Sequence, residues 1–246
     1  MSSMRFGKIS SGVWLCLAVL IFGGGVMFAF YRAAHDLTRS ANSSASYGVP
    51  AMPLRLASYN AKRQAHLPDE VIAEILRRDS DYVFLQETRG KMLPDLQHRM
   101  GEKYIATAYY PLQNLPDADN DIGIAILSKY PLEDGRPIPN HMNGACGVWA
   151  SSLIDGKRFE VACLRPSETG GAGAEMENFK KAWESSSKPP ILAAVESGGE
   201  WQTPPGFLSA DSDRIWLFSK EWRVIETATV KGAHFVVIGS SESTSR

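Results

Sequence analysis

Apolar and polar positions alternate along "LRLASYN" (54–60), the period-two pattern of a strand with one buried face. The period then lengthens. In "PDEVIAEILRRD" (68–79), Pro68 and the acids after it mark a helix start, and Val71, Ile72, Ile75 and Leu76 fall on one helical face. "DYVFLQE" reads as a strand, and a short helix is expected around Lys91 to Met100, with Pro94 confined to its start. "KYIATAYY", "DIGIAILS", "ACGVWASSLI" and "RFEVACL" continue as strands, punctuated by Pro, Asp and Gly. "AEMENFKKAWESS" (174–186) places Met176, Phe179, Lys180 and Trp183 at helical spacing. "PILAAVE", "RIWLFSK", "WRVIETATV" and "HFVVIG" close the chain as extended runs. No repeat appears, and the pattern predicts an α/β (α+β) layered domain, strand-rich in its second half.

Upstream of this alternation the pattern is different. Residues 13–31, "VWLCLAVLIFGGGVMFAFY", carry no charge over a length close to the roughly 20 residues a bilayer-crossing helix needs. A single membrane anchor is predicted there, in preference to a cleaved signal peptide, because Arg32 interrupts the small-residue cleavage pattern at Ala34. Residues 1–12 form its flank. Arg5 and Lys8 favour an internal amino-terminus and an extracytoplasmic domain, although Arg32 and Arg39 lie on the other side. Residues 32–53, rich in Ser, Ala and Pro, read as a flexible tether, 54–239 as the folded domain, and 240–246 as a disordered tail.

Composition changes the picture little. With 246 residues, 44% hydrophobic, 22% charged and a net charge of −1, the chain can fill one core and lacks the global basic field that would point to nucleic acid. Cys16 falls in the apolar stretch. Cys146 and Cys163 flank a hairpin turning at Asp155-Gly156, and counting outward from that turn sets Cys163 opposite Val148. Cys146 is then a diagonal neighbour at roughly 7 to 8 Å in a regular ladder, too far for a disulfide, and two free thiols are expected.

The chemistry concentrates at strand ends. "SDYVFLQET" finishes an apolar run on Glu87, and "LRLASYN" finishes on Asn60. Together with "GIAILSKYPL", "FEVACLRP", "PPILAAVES", "DRIWLF" and "AHFVVIG", these stretches resemble, in order and spacing, the endonuclease/exonuclease/phosphatase superfamily of exonuclease III and pancreatic deoxyribonuclease type. The resemblance spans 54–239. It implies a four-layered α/β/β/α sandwich of two mixed sheets, with a site at the sheet edges. It also implies that Glu87 stands at the position of a Mg²⁺ or Mn²⁺ ligand and that Asn60 positions metal and phosphate.

Other family positions are substituted. Arg165 stands where the resemblance expects a phosphate-contacting histidine. "AAVES" puts Val195 and Ser197 at the water-activating Asp and the Asn of the G-D-x-N motif, with Glu196 displaced to the opposite face of a regular strand. Trp216 replaces the acid of R-I-D, and Ala233 replaces the acid that partners the closing histidine, leaving His234. Asn60, Arg165 and His234 thus read as vestigial catalytic positions and Glu87 as a vestigial metal position. Removing one member of a cooperating catalytic set costs about 10³ to 10⁶ in rate. The expected function is therefore a membrane-anchored, catalytically degenerate domain that binds a partner protein or phosphorylated ligand and needs no cofactor. The alternative is an active Mg²⁺- or Mn²⁺-dependent phosphodiesterase, nuclease or phosphatase drawing on Glu196, Asp211 or Asp213. A purely structural membrane-associated protein is a third reading. Arg165 either pairs with Glu87, occupying the place of metal or phosphate, or points to solvent from its strand end.

Overall fold

Residues 54, 56 and 58 of the first long strand face one way and 57 and 59 the other, and both faces are buried, so this strand has to lie between two layers. The computed structural model describes residues 46–47, 50, 52–112, 122–139, 145–165, 177, 179, 181, 190–195, 207–210, 215–218 and 222–240, with the backbone alone described for 46–47, 190–195, 207–210 and 215–218. The chain divides into two units, 1–45 and 46–246, and all described residues belong to the second. The predicted flank, the anchor at 13–31, residues 241–246 of the tail and most of the tether lie outside the described residues. Among the described residues no helix is long and apolar enough to cross a membrane.

In chain order the elements are β1 (Ser46–Tyr47), β2 (Leu54–Asn60), α1 (Asp69–Arg77), β3 (Tyr82–Arg89), a 3₁₀ turn (Gly90–Met92) and α2 (Leu93–Arg99). Then follow β4 (Ala106–Pro111), β5 (Ile122–Ser128), β6 (Leu132–Pro139), β7 (Ala145–Ile154), β8 (Lys157–Leu164) and β9 (Pro190–Val195). The last are β10 (Phe207–Ala210), β11 (Ile215–Phe218), β12 (Trp222–Val230) and β13 (Ala233–Ser240). One sheet has the order β12-β13-β2-β3-β5-β4. The other runs β10-β11-β9-β8-β7-β6, with β1 beside the start of β8. Both are mixed, since β2/β3 in the first and β8/β9 and β1/β8 in the second are parallel pairs, while the other neighbours are antiparallel. Ser46–Tyr47, inside the segment expected as tether, is thus a short strand.

Two apolar layers follow from the strand periodicity. Leu54, Leu56, Tyr82, Phe84, Ile124 and Ile126 of the first sheet meet Val148, Ala150, Phe159, Val161 and Cys163 of the second. On the other face of the first sheet, Ala57, Val83, Leu85 and Ala125 pack against Val71, Ile72 and Ile75 of α1 and Leu93 and Leu96 of α2. Asp69 and Glu70 in the first turn of α1 and Arg77 in its last complement the helix dipole. Outside the second sheet, helical Phe179 lies with its ring 5.7 Å from Trp149. The result is an α/β sandwich, as expected.

The β7–β8 hairpin turns on Asp155 and Gly156, both at positive φ (50° and 73°), and pairs Val148 with Cys163 in the register counted from the sequence. Cys146 and Cys163 are buried free thiols, and burial pushes the Cys163 thiol up. β6 departs from expectation. Its sequence "LEDGRPIP" has neither alternation nor a continuous apolar run, yet it pairs with β7 at the sheet edge, where Pro137 and Pro139 are tolerated and Asp134 (φ 54°) bulges.

Candidate functional site

The carboxyl ends of β2 and β3 and the end of β8 meet at one margin of the sandwich. At the end of β2, Asn60 is 7% exposed, and its Oδ1 accepts the Lys62 N–H at 2.7 Å, an Asx turn that reverses the chain. Lys62 and Arg63 follow at φ 48° and 61°, left-handed conformations that cost non-glycine residues roughly 1 to 2 kcal/mol each. Two backbone bonds hold this loop against β3: Ala61 N–H donates to Gln86 O at 2.9 Å and Arg63 N–H to Glu87 O at 3.1 Å.

β3 breaks its own alternation where the charge appears. Tyr82, Phe84 and Gln86 face the other sheet, so a regular strand would turn Glu87 toward α1 and α2. Instead the pairing with β5 slips between Leu85 and Thr88, so that Gln86 and Glu87 stand against Ile124 alone, and Glu87 has φ 48°. This bulge re-aims the carboxylate toward the margin. On the partner strand, Gly123 is held to glycine from the far side, where a Cβ would lie 2.4 Å from both the Tyr109 ring and Tyr110 O of β4. Thr88 is fully buried and its Oγ1 has no partner among the described residues, a further cost of the irregularity. Gln86 itself ties the sheets together, donating from Nε2 to Ser58 Oγ at 3.1 Å and Cys163 Sγ at 3.4 Å.

Glu87 is 8% exposed, and guanidinium groups flank both of its carboxylate oxygens. Arg165, directly after β8 and anchored by its N–H to Cys146 O at 2.7 Å, turns Nε and Nη2 onto Glu87 Oε1 at 2.8 and 2.7 Å. Arg63 Nε lies 3.4 Å from Oε2. Arg89 Nε donates to Arg63 O at 3.1 Å, which adds a third guanidinium to the margin. Of the two orientations open to Arg165, the structure has the pairing.

The remaining expected positions distribute as follows. His234 stands near the start of β13, opposite Ser58 and 7% exposed, with Nδ1 3.2 Å from Thr229 Oγ1. Ala233, where the family resemblance expects an acid, is fully buried in the layer beneath α1 and α2. The backbone of Val195 pairs with Leu164, one residue before Arg165, so this position reaches the same margin. Trp216 lies in β11, paired with Ala193 and Ser209. Glu196, Ser197, Asp211 and Asp213 lie outside the described residues.

Mg²⁺ and Mn²⁺ take oxygen ligands, and Mg²⁺ dehydrates reluctantly, so a resident ion needs several converging oxygens. Among the described residues no three His, Cys, Asp or Glu side chains converge. Glu87 Oε1 already receives two guanidinium N–H groups, and Asn60 Oδ1 receives a backbone N–H. The described residues therefore fit an arginine-compensated carboxylate and do not fit a resident metal. Sequence reasoning missed Arg63, Arg89 and the bulge. The basic pair in "NAKR" was the available signal for Arg63, whereas nothing in "LQET" betrays a left-handed glutamate.

The sequence profile of the Endonuclease/Exonuclease/phosphatase family matches residues 56–239. Among solved structures, the human Nocturnin catalytic domain with bound sulfate anion superposes with a TM-score of 0.57 at 14% identity, covering 77% of this chain and 94% of that one. Truncated Caenorhabditis elegans TDP2 does so at 0.55 and 13%, covering 78% and 100%. D. rerio TDP2 complexed with single strand DNA product gives 0.54 and 11%, covering 76% and 99%. Identities this low show a shared fold alone. No curated protein matches the sequence significantly.

Removing Arg165 leaves a mostly buried carboxylate facing, among the described residues, the longer Arg63 contact alone. Arg165→Ala is expected to destabilise the protein by about 1 to 4 kcal/mol, and Glu87→Gln in that background to restore part of the loss. Chemical denaturation of the single and double variants measures both. Strictly additive losses would show that the two side chains are not coupled.

Proposed function

The chain belongs to the Endonuclease/Exonuclease/phosphatase family, and we propose that it is a catalytically degenerate member that binds a phosphorylated ligand at the Glu87 margin without hydrolysing it. The observation that carries this reading is the double donation of Arg165 onto Glu87 Oε1. A guanidinium supplies positive charge where the family's chemistry draws it from a metal, but it cannot lower the pKa of a coordinated water or ligate an attacking hydroxide. Val195 replaces the water-activating acid and Ala233 the acid that pairs with the closing histidine in this chain. His234, with Nδ1 3.2 Å from Thr229 Oγ1, follows an alanine where the family's closing motif has that acid.

What the margin retains is suited to holding an anion. Arg63 and Arg165 flank one carboxylate, Arg89 lies against the Arg63 backbone, and guanidinium forks match phosphate oxygens in geometry as well as charge. The side chain of Arg63 is 45% exposed, so it presents this charge to solvent. The sulfate in the Nocturnin structure is in keeping with an anion-binding fold. Three of the eight non-glycine residues at positive φ among the described residues, Lys62, Arg63 and Glu87, lie at this margin, and strained backbone is often kept at sites of function.

Full-length protein in zwitterionic nanodiscs should give no turnover of phosphodiester or phosphomonoester substrates with Mg²⁺ or Mn²⁺. It should bind a phosphomonoester with an affinity that Arg63→Ala lowers about ten-fold. Metal-dependent cleavage abolished by Glu87→Gln would overturn the proposal and establish the active phosphoesterase reading.

The same proposal places the domain at a membrane, anchored through residues 13–31 and exposed on the extracytoplasmic side. Its support is the uncharged 19-residue stretch and the basic residues before it. Protease added to right-side-out vesicles should digest the domain. A protected domain, or a mature chain beginning after residue 31, would contradict this.

A further inference from the structure

At the opposite ends of β2 and β3 from the Glu87 margin, a separate cavity of 230 Å³ opens on the helix-covered face of the same sheet. Its wall includes Arg55 at the start of β2, Arg77 and Arg78 at the end of α1, Ser80 before β3, Glu226 on β12 and Phe235 on β13.

Three features of this wall point to a ligand. Ser80 is fully buried and its Oγ has no partner among the described residues, although its backbone is satisfied on both sides. Its N–H bonds Ile75 O at 3.2 Å, and its carbonyl accepts the Tyr104 hydroxyl at 2.8 Å. A buried hydroxyl left alone in an otherwise satisfied turn calls for an occupant of the adjoining space. The second feature is charge. Glu74 accepts from Nε and Nη2 of Arg77, at 2.7 and 2.6 Å, and from Nε of Arg78 at 2.6 Å. These bonds, first from Arg77 and then from Arg78, hold its carboxyl well below the usual range, at about 2. Arg55 makes no ion pair among the described residues. Arg78 Nη1 meets, among the described residues, the exposed Glu226 alone, at a long 3.3 Å. The third feature is rigidity. The Arg78 guanidinium lies over the Phe235 ring at 5.0 Å, which fixes its plane and directs its donor edge.

The geometry points to this cavity as a binding site for a single tetrahedral oxyanion, a phosphomonoester or sulfate group, held by Arg55, Arg78 and the Ser80 hydroxyl. Two guanidinium residues and a hydroxyl residue in one lining match a tetrahedral dianion, and the volume is below the 300 Å³ or so at which drug-sized pockets begin. Glu226 supplies the competing carboxylate. Its exposed side chain satisfies Arg78 when the site is empty and swings into solvent when the anion enters. The site is independent of the Glu87 margin, and its success or failure leaves the proposed function untouched.

Titration of full-length protein in zwitterionic nanodiscs with inorganic phosphate, followed by calorimetry, tests the assignment. The account expects a binding component that Arg55→Ala weakens about ten-fold, that Ser80→Ala weakens less, and that Glu226→Gln strengthens several-fold. Arg63→Ala should leave that component unchanged. A second arm compares nanodiscs with and without phosphatidic acid: Arg55-dependent displacement of phosphate by this lipid assigns the site to a membrane headgroup, and no displacement assigns it to a soluble ligand. Phosphate binding indifferent to Arg55 and Glu226, or sensitive only to Arg63, overturns the inference. Absence of phosphate binding to the unaltered protein overturns it equally.

Discussion

A carboxylate that is 8% exposed needs a counter-charge, and at Glu87 that requirement organises the surrounding structure. Burying an unpaired ion costs several kcal/mol, a large part of the about 5 to 15 kcal/mol by which a domain is stable. In an active metal-dependent hydrolase the cation would be the metal; here Arg165 fills that role from the other sheet. The pair therefore also joins the end of β3 to the end of β8, beside the Gln86–Cys163 contact that bridges the same two strands.

The local irregularities follow from aiming that charge. Strand alternation would bury Glu87 under α1 and α2, against an apolar layer. The bulge avoids this by giving β3 one extra residue, at the expense of a left-handed glutamate and a Thr88 hydroxyl without a partner among the described residues. The loop after Asn60 is strained in the same way at Lys62 and Arg63, and the backbone bond from Arg63 to Glu87 couples the two segments. Strain on both sides of one ion pair makes sense if the pair's position matters more than its contribution to stability.

Much of this was legible in the sequence because it rests on periodicity. Leu54 and Leu56, and Tyr82 and Phe84, announced β2 and β3, and Asp155-Gly156 set the β7–β8 register that places Cys163 opposite Val148. β6 was hidden because an edge strand tolerates Pro137 and Pro139, and what it packs, Arg136 over the Trp149 ring at 5.8 Å, has no strand signature. β1, two residues long, and β10, four, carry no pattern to detect. At the site, residue types identified Glu87 and Asn60 and made Arg165 a plausible partner. Arg63 escaped notice because its reach depends on a left-handed turn that Lys and Arg do not advertise.

The central claim is that Arg165 occupies the electrostatic place of a metal, and ligand linkage tests it directly, since an ion that binds only the folded state raises the melting temperature. Thermal unfolding of the full-length protein should be unaffected by millimolar Mg²⁺. In Arg165→Ala, where Glu87 is left exposed to a cation, Mg²⁺ should raise the melting temperature. A clear Mg²⁺-dependent rise in the unaltered protein, lost in Glu87→Gln, would show that the carboxylate still belongs to a metal site.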